Sequence, residues 1–190
     1  MILQALKPGT TIKFPLSVKM STVNQKKNEC SIETGPLALT LVAGKTSAIV
    51  LDWVPYSPGG INSMASDGDV LSGIFTGCVM STYRNAGRRS VAHVHTGDDA
   101  GADLDCKGLM KTLLAGSYSP IFSFKPFDKH ADGNIAEAIC AKSPFGGFGC
   151  APFGLVTKSN TYHVLFTRKV SNSEYLIESV MDKSNSPYAF

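Results

Sequence analysis

Charged residues are scarce in this sequence. Asp, Glu, Lys and Arg make up 17% of its 190 residues, whereas soluble domains average about 25%. Because 43% of the residues are hydrophobic, the low charge argues against a disordered chain or a coiled coil. The net charge of +3 is small and scattered along the chain. We therefore expect no nucleic-acid partner.

Long hydrophobic runs are also missing. No stretch of about 18 apolar residues occurs, so the sequence predicts no membrane-spanning helix and no membrane partner. The first residues, MILQALKPGTTIKF, lack the apolar core and cleavage site of a classical signal peptide. The length predicts a single domain over residues 1–190 that buries roughly 70% of its unfolded surface, and we expect a monomer.

Paired cysteine motifs are absent as well. The five cysteines are Cys30, Cys78, Cys106, Cys140 and Cys150. None of their spacings is C-x-x-C, which argues against a disulfide scaffold or a zinc ribbon. Cys140 and Cys150 could pair or bind a metal, but we expect both to be structural. The odd count leaves at least one free thiol if all pairing is intramolecular, so a thiol with a chemical role is worth seeking.

Strands dominate what the sequence does contain. Alternating or β-branched stretches, each bounded by Gly, Pro, Asn, Asp or Ser, are typical of strands and turns. They cover Thr11–Lys19, Leu37–Ala43, Thr46–Val54, Asp69–Tyr83, Ser90–Thr96, Tyr118–Lys125, Thr161–Val170 and Tyr175–Met181. The predicted fold class is β-rich α+β, a layered sandwich of two packed mixed or antiparallel sheets with a few helices.

Two segments predict helices, Asp103–Leu114 and Asn134–Ala141. The first opens with acidic residues that suit a helix N-terminus, and the second has Asn134 as its candidate cap. Cys106 lies in the first helix among acidic neighbours, which would raise the pKa of its thiol. We therefore assign Cys106 to the buried face of that helix.

Two long connections are rich in Gly and Pro, Pro55–Asp69 and Ser143–Gly154. Loops of this length in a compact domain are usually functional lids or rims. Phe145, Phe148 and Phe153 make the second connection unusually aromatic. These rings form either an exposed contact surface or a layer packed over the edge of the core.

The strongest local pattern joins a cysteine to two histidines. Thr76-Gly77-Cys78 precedes a strand, the polar turn RNAGRR follows, and the next strand ends in His93-Val94-His95-Thr96-Gly97. Two β runs around a polar turn predict an antiparallel hairpin. That hairpin brings Cys78 beside the histidines, which is the geometry that a thiolate–imidazolium pair requires.

Three interpretations compete for the two histidines. His93 and His95 are two residues apart and so point to the same face of their strand. One of them could be the general base of a cysteine enzyme, or both could bind a metal, or both could be merely polar. For a metal, the third ligand would come from His163, Cys106, Asp98, Asp99 or Asp103. The nearby Thr-Gly-Cys favours the cysteine pair, with the metal site second.

The order of Gly-Cys at a strand start, hairpin, and histidine in the next strand resembles the cysteine-dependent glutamine deamidases. This family includes the catalytic domain of cytotoxic necrotizing factor, Burkholderia lethal factor and the chemotaxis receptor deamidase. Seventeen positions separate Cys78 from His95, as in the receptor deamidases, and fifteen separate it from His93, as in the toxins. His95 is favoured because the Thr-Gly after it resembles the toxin pattern. The resemblance also implies Ser72, six positions before the cysteine, as the group that orients the histidine.

The resemblance implies a bacterial effector or toxin that deamidates a glutamine of a host protein through a Cys78 thioester. It implies no cofactor, a GTPase or translation factor as the substrate, and delivery to the host cytoplasm by a specialised secretion system. Transglutaminase or peptidase chemistry would use the same Cys–His pair. We also expect the charges at Arg84, Arg88, Arg89 and Asp98–Asp105 to surround the site and contribute to substrate recognition.

Overall fold

The computed structural model describes residues 2–15, 30–32, 36–42, 47–96, 100–116 and 118–190. The strands in these ranges are β1 (Thr11–Lys13), β2 (Cys30–Ile32), β3 (Pro36–Val42), β4 (Ser47–Pro55), β5 (Ile61–Ala65), β6 (Val70–Gly73), β7 (Val79–Asn85), β8 (Arg88–Val94), β9 (Tyr118–Phe124), β10 (Cys150–Val156), β11 (Tyr162–Lys169) and β12 (Glu174–Asp182). The helices are α1 (Ile2–Ala5), α2 (Ala100–Ala115) and α3 (Lys129–Cys140), with a 3₁₀ turn at Gly146–Phe148.

The larger sheet closes on itself as a barrel. Its strand order is β1-β12-β11-β10-β6-β4-β3, and pairing of β1 with β3 completes the ring. Side chains on alternate positions of each strand face the interior, where Trp53, Leu71 and Phe153 belong to one buried cluster. The Phe14 ring lies 5.5 Å from the Trp53 ring and 5.4 Å from the Phe153 ring, measured between centroids. Aromatic packing therefore fills the barrel.

The smaller sheet carries the predicted hairpin. Its strand order is β2-β5-β8-β7-β9, and β7 pairs antiparallel with β8. The hairpin turns at Ala86 and Gly87, whose φ angles of 49° and 79° are the left-handed values that a tight two-residue hairpin turn requires. The antiparallel hairpin that the sequence predicts is confirmed.

The sheet packs against the outside of the barrel. Val54 and Val70 of the barrel share a buried cluster with Met80 and Phe124 of the sheet. A Cβ at Gly154 would lie 2.6 Å from the Met80 sulfur, so glycine is needed where the two layers approach most closely. The predicted class, β-rich α+β with two packed sheets, is confirmed.

The opposite face of the sheet is covered by α2. Cys106 and Met110 of this helix are fully buried and pack with Val79 and Val94. The buried position predicted for Cys106 is thus confirmed. Since successive side chains of a strand alternate between faces, Cys78 and Met80 point the other way, and both belong to the cluster facing the barrel.

The structure corrects one predicted strand and two predicted loops. Asp69–Tyr83 is two strands in different sheets, β6 and β7, rather than one. The predicted loop Pro55–Asp69 contains β5, whose sequence INSMA is only five residues long. The predicted loop Ser143–Gly154 ends inside β10, where Phe153 is fully buried rather than part of a rim. Pro152 is tolerated there because β10 begins to pair with β6 only at Phe153.

The prediction for α3 placed its start too late. The helix begins at Lys129, and its cap is Asp128, whose carboxylate accepts a hydrogen bond from the His130 backbone N–H, rather than Asn134. Gly133 lies within the first turns of the helix. Because glycine is a poor helix former, the sequence predicts a start only after it. The earlier start places the beginning of α3 directly after β9, which brings it to the candidate site.

Candidate functional site

The β7–β8 hairpin brings Cys78 and His95 together. The last pair of its ladder is Val79 opposite Val94, so the next position in the same register sets Cys78 opposite His95. Directly opposed residues of an antiparallel pair have Cβ atoms about 4.5–5.5 Å apart. Cys78 is only 4% exposed, yet it reaches the same surface cleft as His95.

This cleft, of about 450 Å³, is the candidate active site. One side is formed by Thr76-Gly77-Cys78 and by His95-Thr96, and Tyr56 after β4 borders the same side. The rest of the lining, which we call the far wall, comes from the connection between β9 and α3, and β9 pairs with β7 in the same sheet. The lining residues there are Lys125, Phe127, Asp128, Lys129 and His130. Pockets of roughly 300–1,000 Å³ accommodate drug-sized ligands, so the cleft has room for more than one glutamine side chain.

Tyr56 orients His95. The Tyr56 hydroxyl lies 2.9 Å from Nδ1 of His95. Burial, and then the nearby thiols of Cys78 and Cys106, raise the pKa of Tyr56 to about 12, so this hydroxyl is uncharged at neutral pH. When it accepts from a protonated Nδ1, Nε2 is the basic nitrogen of the imidazole. The contact restrains the orientation of the imidazole, which a general base requires.

His93 has a different environment, although it lies on the same face of β8. The Tyr56 ring is 5.2 Å from the His93 ring and 5.8 Å from the His95 ring, as the spacing of two residues predicts. His93 is fully buried, stacks on Phe75 at 4.1 Å, and its Nδ1 lies 2.8 Å from the Ser72 hydroxyl. The structure therefore pairs Ser72 with His93 and Tyr56 with His95.

Burial of His93 predicts an acid-sensitive fold. Desolvation, with a smaller contribution from His95, lowers the pKa of His93 from 6.5 to about 3. As the pH falls below about 6.5, an unfolded chain gains a proton that the folded chain does not, so the free energy of unfolding falls by about 1.4 kcal/mol per pH unit. Urea unfolding at several pH values should show a steeper acid loss for the wild type than for His93→Gln. Parallel losses in the two proteins would contradict this.

Gly77 and Thr96 fix the backbone next to the thiol. Gly77 has φ of 151°, a conformation that residues with a Cβ rarely adopt. The Thr96 hydroxyl donates to the Gly77 carbonyl at 2.6 Å. That carbonyl belongs to the same rigid peptide unit as the Cys78 backbone N–H. Thr96 thus sets the direction of the Cys78 N–H, which is a natural donor to an oxyanion.

The far wall of the cleft is held by a buried ion pair. Lys183, just after β12, contacts both carboxylate oxygens of Asp132 at 2.9 Å. Asp132 Oδ2 also accepts the Asp128 backbone N–H at 2.9 Å. Because Asp132 is 1% exposed, leaving its charge unpaired would be costly. This network ties the first turn of α3, and with it the cleft wall, to the barrel.

Several other predicted candidates lie away from the cleft. Cys106 is on the buried face of α2. Burial raises the pKa of the Cys150 thiol to about 12, with a further contribution from Cys140. His163 contacts the Thr161 hydroxyl at 2.9 Å in the barrel. Gly97, Asp98 and Asp99 lie outside the described residues, as does the side chain of Asp103. Among the residues that are described, no group of three or more His, Cys, Asp or Glu is placed to hold a metal ion.

The arginines that we expected near the site are at the other end of the hairpin. Arg84 and Arg88 flank the turn and are exposed. Arg89 is 6% exposed, and its guanidinium donates to the carbonyls of Ser66, Gly68 and Thr157. A seven-residue strand spans roughly 20 Å, so this end of β8 is remote from His95. Arg89 has a structural role, and the expectation that these arginines surround the site is wrong.

The sequence does not predict Tyr56 or any residue of the far wall as part of the site. Tyr56 lies in a stretch that we interpreted as a loop, and nothing near it in the sequence indicates a histidine partner. Lys125, Lys129 and His130 carry no recognisable motif. Their only signal is a cluster of charge between a strand and a helix, KPFDKH at positions 125–130.

Comparisons with known proteins do not place the chain in a family. No protein-family model matches it, and neither the curated proteins nor the solved structures contain a match. The similarity to glutamine deamidases thus rests on the residues quoted above. In the described parts of the chain, no helix combines the length and apolar character needed to cross a bilayer.

Proposed function

We propose that the protein is a thiol-dependent protein-glutamine deamidase, with Cys78 as the nucleophile and His95 as the general base. One observation carries the proposal. Cys78 and His95 directly flank the last ladder pair of one hairpin, Val79 and Val94, and both line the same cleft, while the Tyr56 hydroxyl lies 2.9 Å from Nδ1 of His95. A nucleophile, a base and a group that orients the base are the parts that covalent acyl transfer requires.

The reaction follows from these roles. Nε2 of His95 takes the thiol proton, and the Cys78 sulfur attacks the carboxamide carbon of glutamine. When the C–N bond breaks, the imidazolium gives its proton to the departing ammonia, and a thioester remains. Water then attacks the thioester while His95 accepts its proton, which yields glutamate and the free thiol. The Cys78 N–H, aligned through Thr96, is our proposed donor to the oxyanion of both tetrahedral intermediates.

The natural substrate is proposed from the resemblance. We propose a glutamine of a host GTPase or translation factor, reached after delivery of the protein as a bacterial effector. The test is to incubate the purified protein with such proteins and to search their peptides for the mass gain of about 1 Da that accompanies conversion of a carboxamide to a carboxylate. Release of ammonia should match the glutamate formed.

Related chemistries give different products in the same assay. A transglutaminase would transfer the acyl group to an added primary amine, and a peptidase would cleave the backbone, because both can start from the same nucleophile. A deamidase leaves the chain intact and needs no amine. Amine incorporation or chain cleavage in place of the 1 Da gain would overturn the proposal.

Removing the Tyr56 hydroxyl should slow the reaction. We expect Tyr56→Phe to reduce kcat about 10- to 100-fold, because His95 loses the hydroxyl that restrains its orientation. Ser72→Ala is the matched comparison, since it removes a hydroxyl from His93 instead. The rate of ammonia release from a glutamine peptide that the wild type deamidates should fall much less in Ser72→Ala. The opposite ranking would indicate that His93 and Ser72 are the catalytic pair.

A further inference from the structure

Resting on the proposed function, we propose that the cleft selects a glutamine that has an acidic residue beside it in the substrate. Among the described residues, the Lys and Asp side chains of the cleft lining all come from the connection between β9 and α3. Lys125 and Lys129 supply the cationic groups there, and Asp128 supplies the carboxylate. On the side of Cys78 and His95, the lining residues that the structure describes include no Lys, Arg, Asp or Glu.

The carboxylate of Asp128 is already engaged. It caps α3 by accepting the His130 backbone N–H at 2.9 Å, and this bond is the main reason that the pKa of Asp128 is lowered. A carboxylate in this position interacts with the positive end of the helix. The ammonium of Lys129, an exposed residue, can meet a charge on the substrate, and Lys125 adds a second positive charge to the same part of the lining. The wall therefore presents an excess of positive charge to whatever enters the cleft.

The lysines are held at two separate places on this wall. Lys129 is the exposed first residue of α3. Lys125 follows β9, and its ammonium lies 5.2 Å from the centre of the Tyr188 ring, a cation–π contact that restrains its position. The cleft has space for more than the glutamine side chain. With glutamine at Cys78, a neighbouring residue of the substrate can extend toward Lys125 and Lys129 in the same cleft.

The experiment compares three peptides that are identical except for the residue flanking a single glutamine, which is Glu, Ser or Lys. We expect kcat/KM for the Glu peptide to exceed that for the Lys peptide about tenfold at low salt, and the difference to shrink as salt is added. The difference should lie mainly in KM. Lys129→Glu should bring the Glu-to-Lys ratio close to one.

Arg88→Glu is the matched control. It makes the same change in charge at the exposed far end of the hairpin, so the ratio should stay near its wild-type value. Lys129→Glu is expected to fold, because an acidic residue suits the first turn of a helix. Circular dichroism and thermal melting of both variants verify this.

Two failures are distinguishable. If the wild type deamidates all three peptides at the same rate, or if the preference for Glu survives both Lys129→Glu and the Lys125→Glu/Lys129→Glu double variant, the charge selection is wrong while the deamidase stands. If the wild type deamidates neither the peptides nor any protein, both proposals fail. A preference for Glu that Lys129→Glu removes and Arg88→Glu retains supports the inference.

Discussion

Replacing Cys78 with serine is expected to abolish deamidation, with a loss of about 10⁴-fold or more in kcat. An alcohol is a far weaker nucleophile than a thiolate, and no other group of the described cleft offers a thiol. The change replaces one sulfur by oxygen in a side chain that is 4% exposed. The thermal midpoint should therefore stay close to that of the wild type.

Cys140→Ser is the control for this loss. Cys140 is a free, half-buried cysteine at the end of α3, outside the cleft lining, so its replacement should leave the rate unchanged. The measurement is the initial rate of ammonia release from a glutamine peptide, with circular dichroism for each variant. Substantial activity in Cys78→Ser would exclude Cys78 as the nucleophile.

Replacing His95 with glutamine should lower kcat about 10³-fold, because general acid–base catalysis contributes about 10²–10⁴-fold. His93→Gln is the matched substitution on the same face of the same strand. His93 is buried and bonded to Ser72, so its loss should chiefly lower stability, by about 1–3 kcal/mol, and affect the rate much less.

The two variants decide between the candidate bases. Rates at saturating substrate, measured where both proteins are folded, separate the catalytic effect from the loss of stability. If His93→Gln loses the rate and His95→Gln retains it, the roles are exchanged, and Ser72 becomes the residue that orients the base.

The central part of the site could be predicted because it is local. Cys78 and His95 belong to one hairpin whose turn sequence determines its register, so their opposition follows from the alternation of the two strands and a short polar turn. The same reasoning predicts that His93 shares a face with His95. Acidic neighbours also mark the beginning of α2 and would raise the pKa of the Cys106 thiol, so the sequence assigns Cys106 to the buried face of that helix.

The remaining parts depend on packing between layers. Tyr56 and Ser72 reach the histidines from barrel strands, and the distance between a barrel strand and β8 depends on every side chain between them. Gly154 is one example, because its lack of a side chain lets the barrel approach Met80 of the smaller sheet closely. No pattern in one strand specifies which of two histidines a residue of another layer will contact.

The far wall could not be predicted for a related reason. It depends on where α3 starts. Gly133 lies in the first turns of α3, and because glycine is a poor helix former the sequence predicts a later start. The strand β10 is missed for the same reason. Its glycine and proline residues predict a loop, but pairing with β11 and β6 stabilises a strand. Local propensity is a weak guide wherever tertiary pairing supplies the backbone hydrogen bonds.

The most direct test of the Cys78–His95 pair is the rate at which iodoacetamide, itself a small carboxamide, alkylates each cysteine at neutral pH. The pair predicts that Cys78 reacts fastest in the wild type, as peptide mapping would show. His95→Gln should slow this reaction at least about tenfold, while His93→Gln leaves it nearly unchanged, because only His95 takes the thiol proton. Equal rates for Cys78 in the wild type and in His95→Gln would contradict the account.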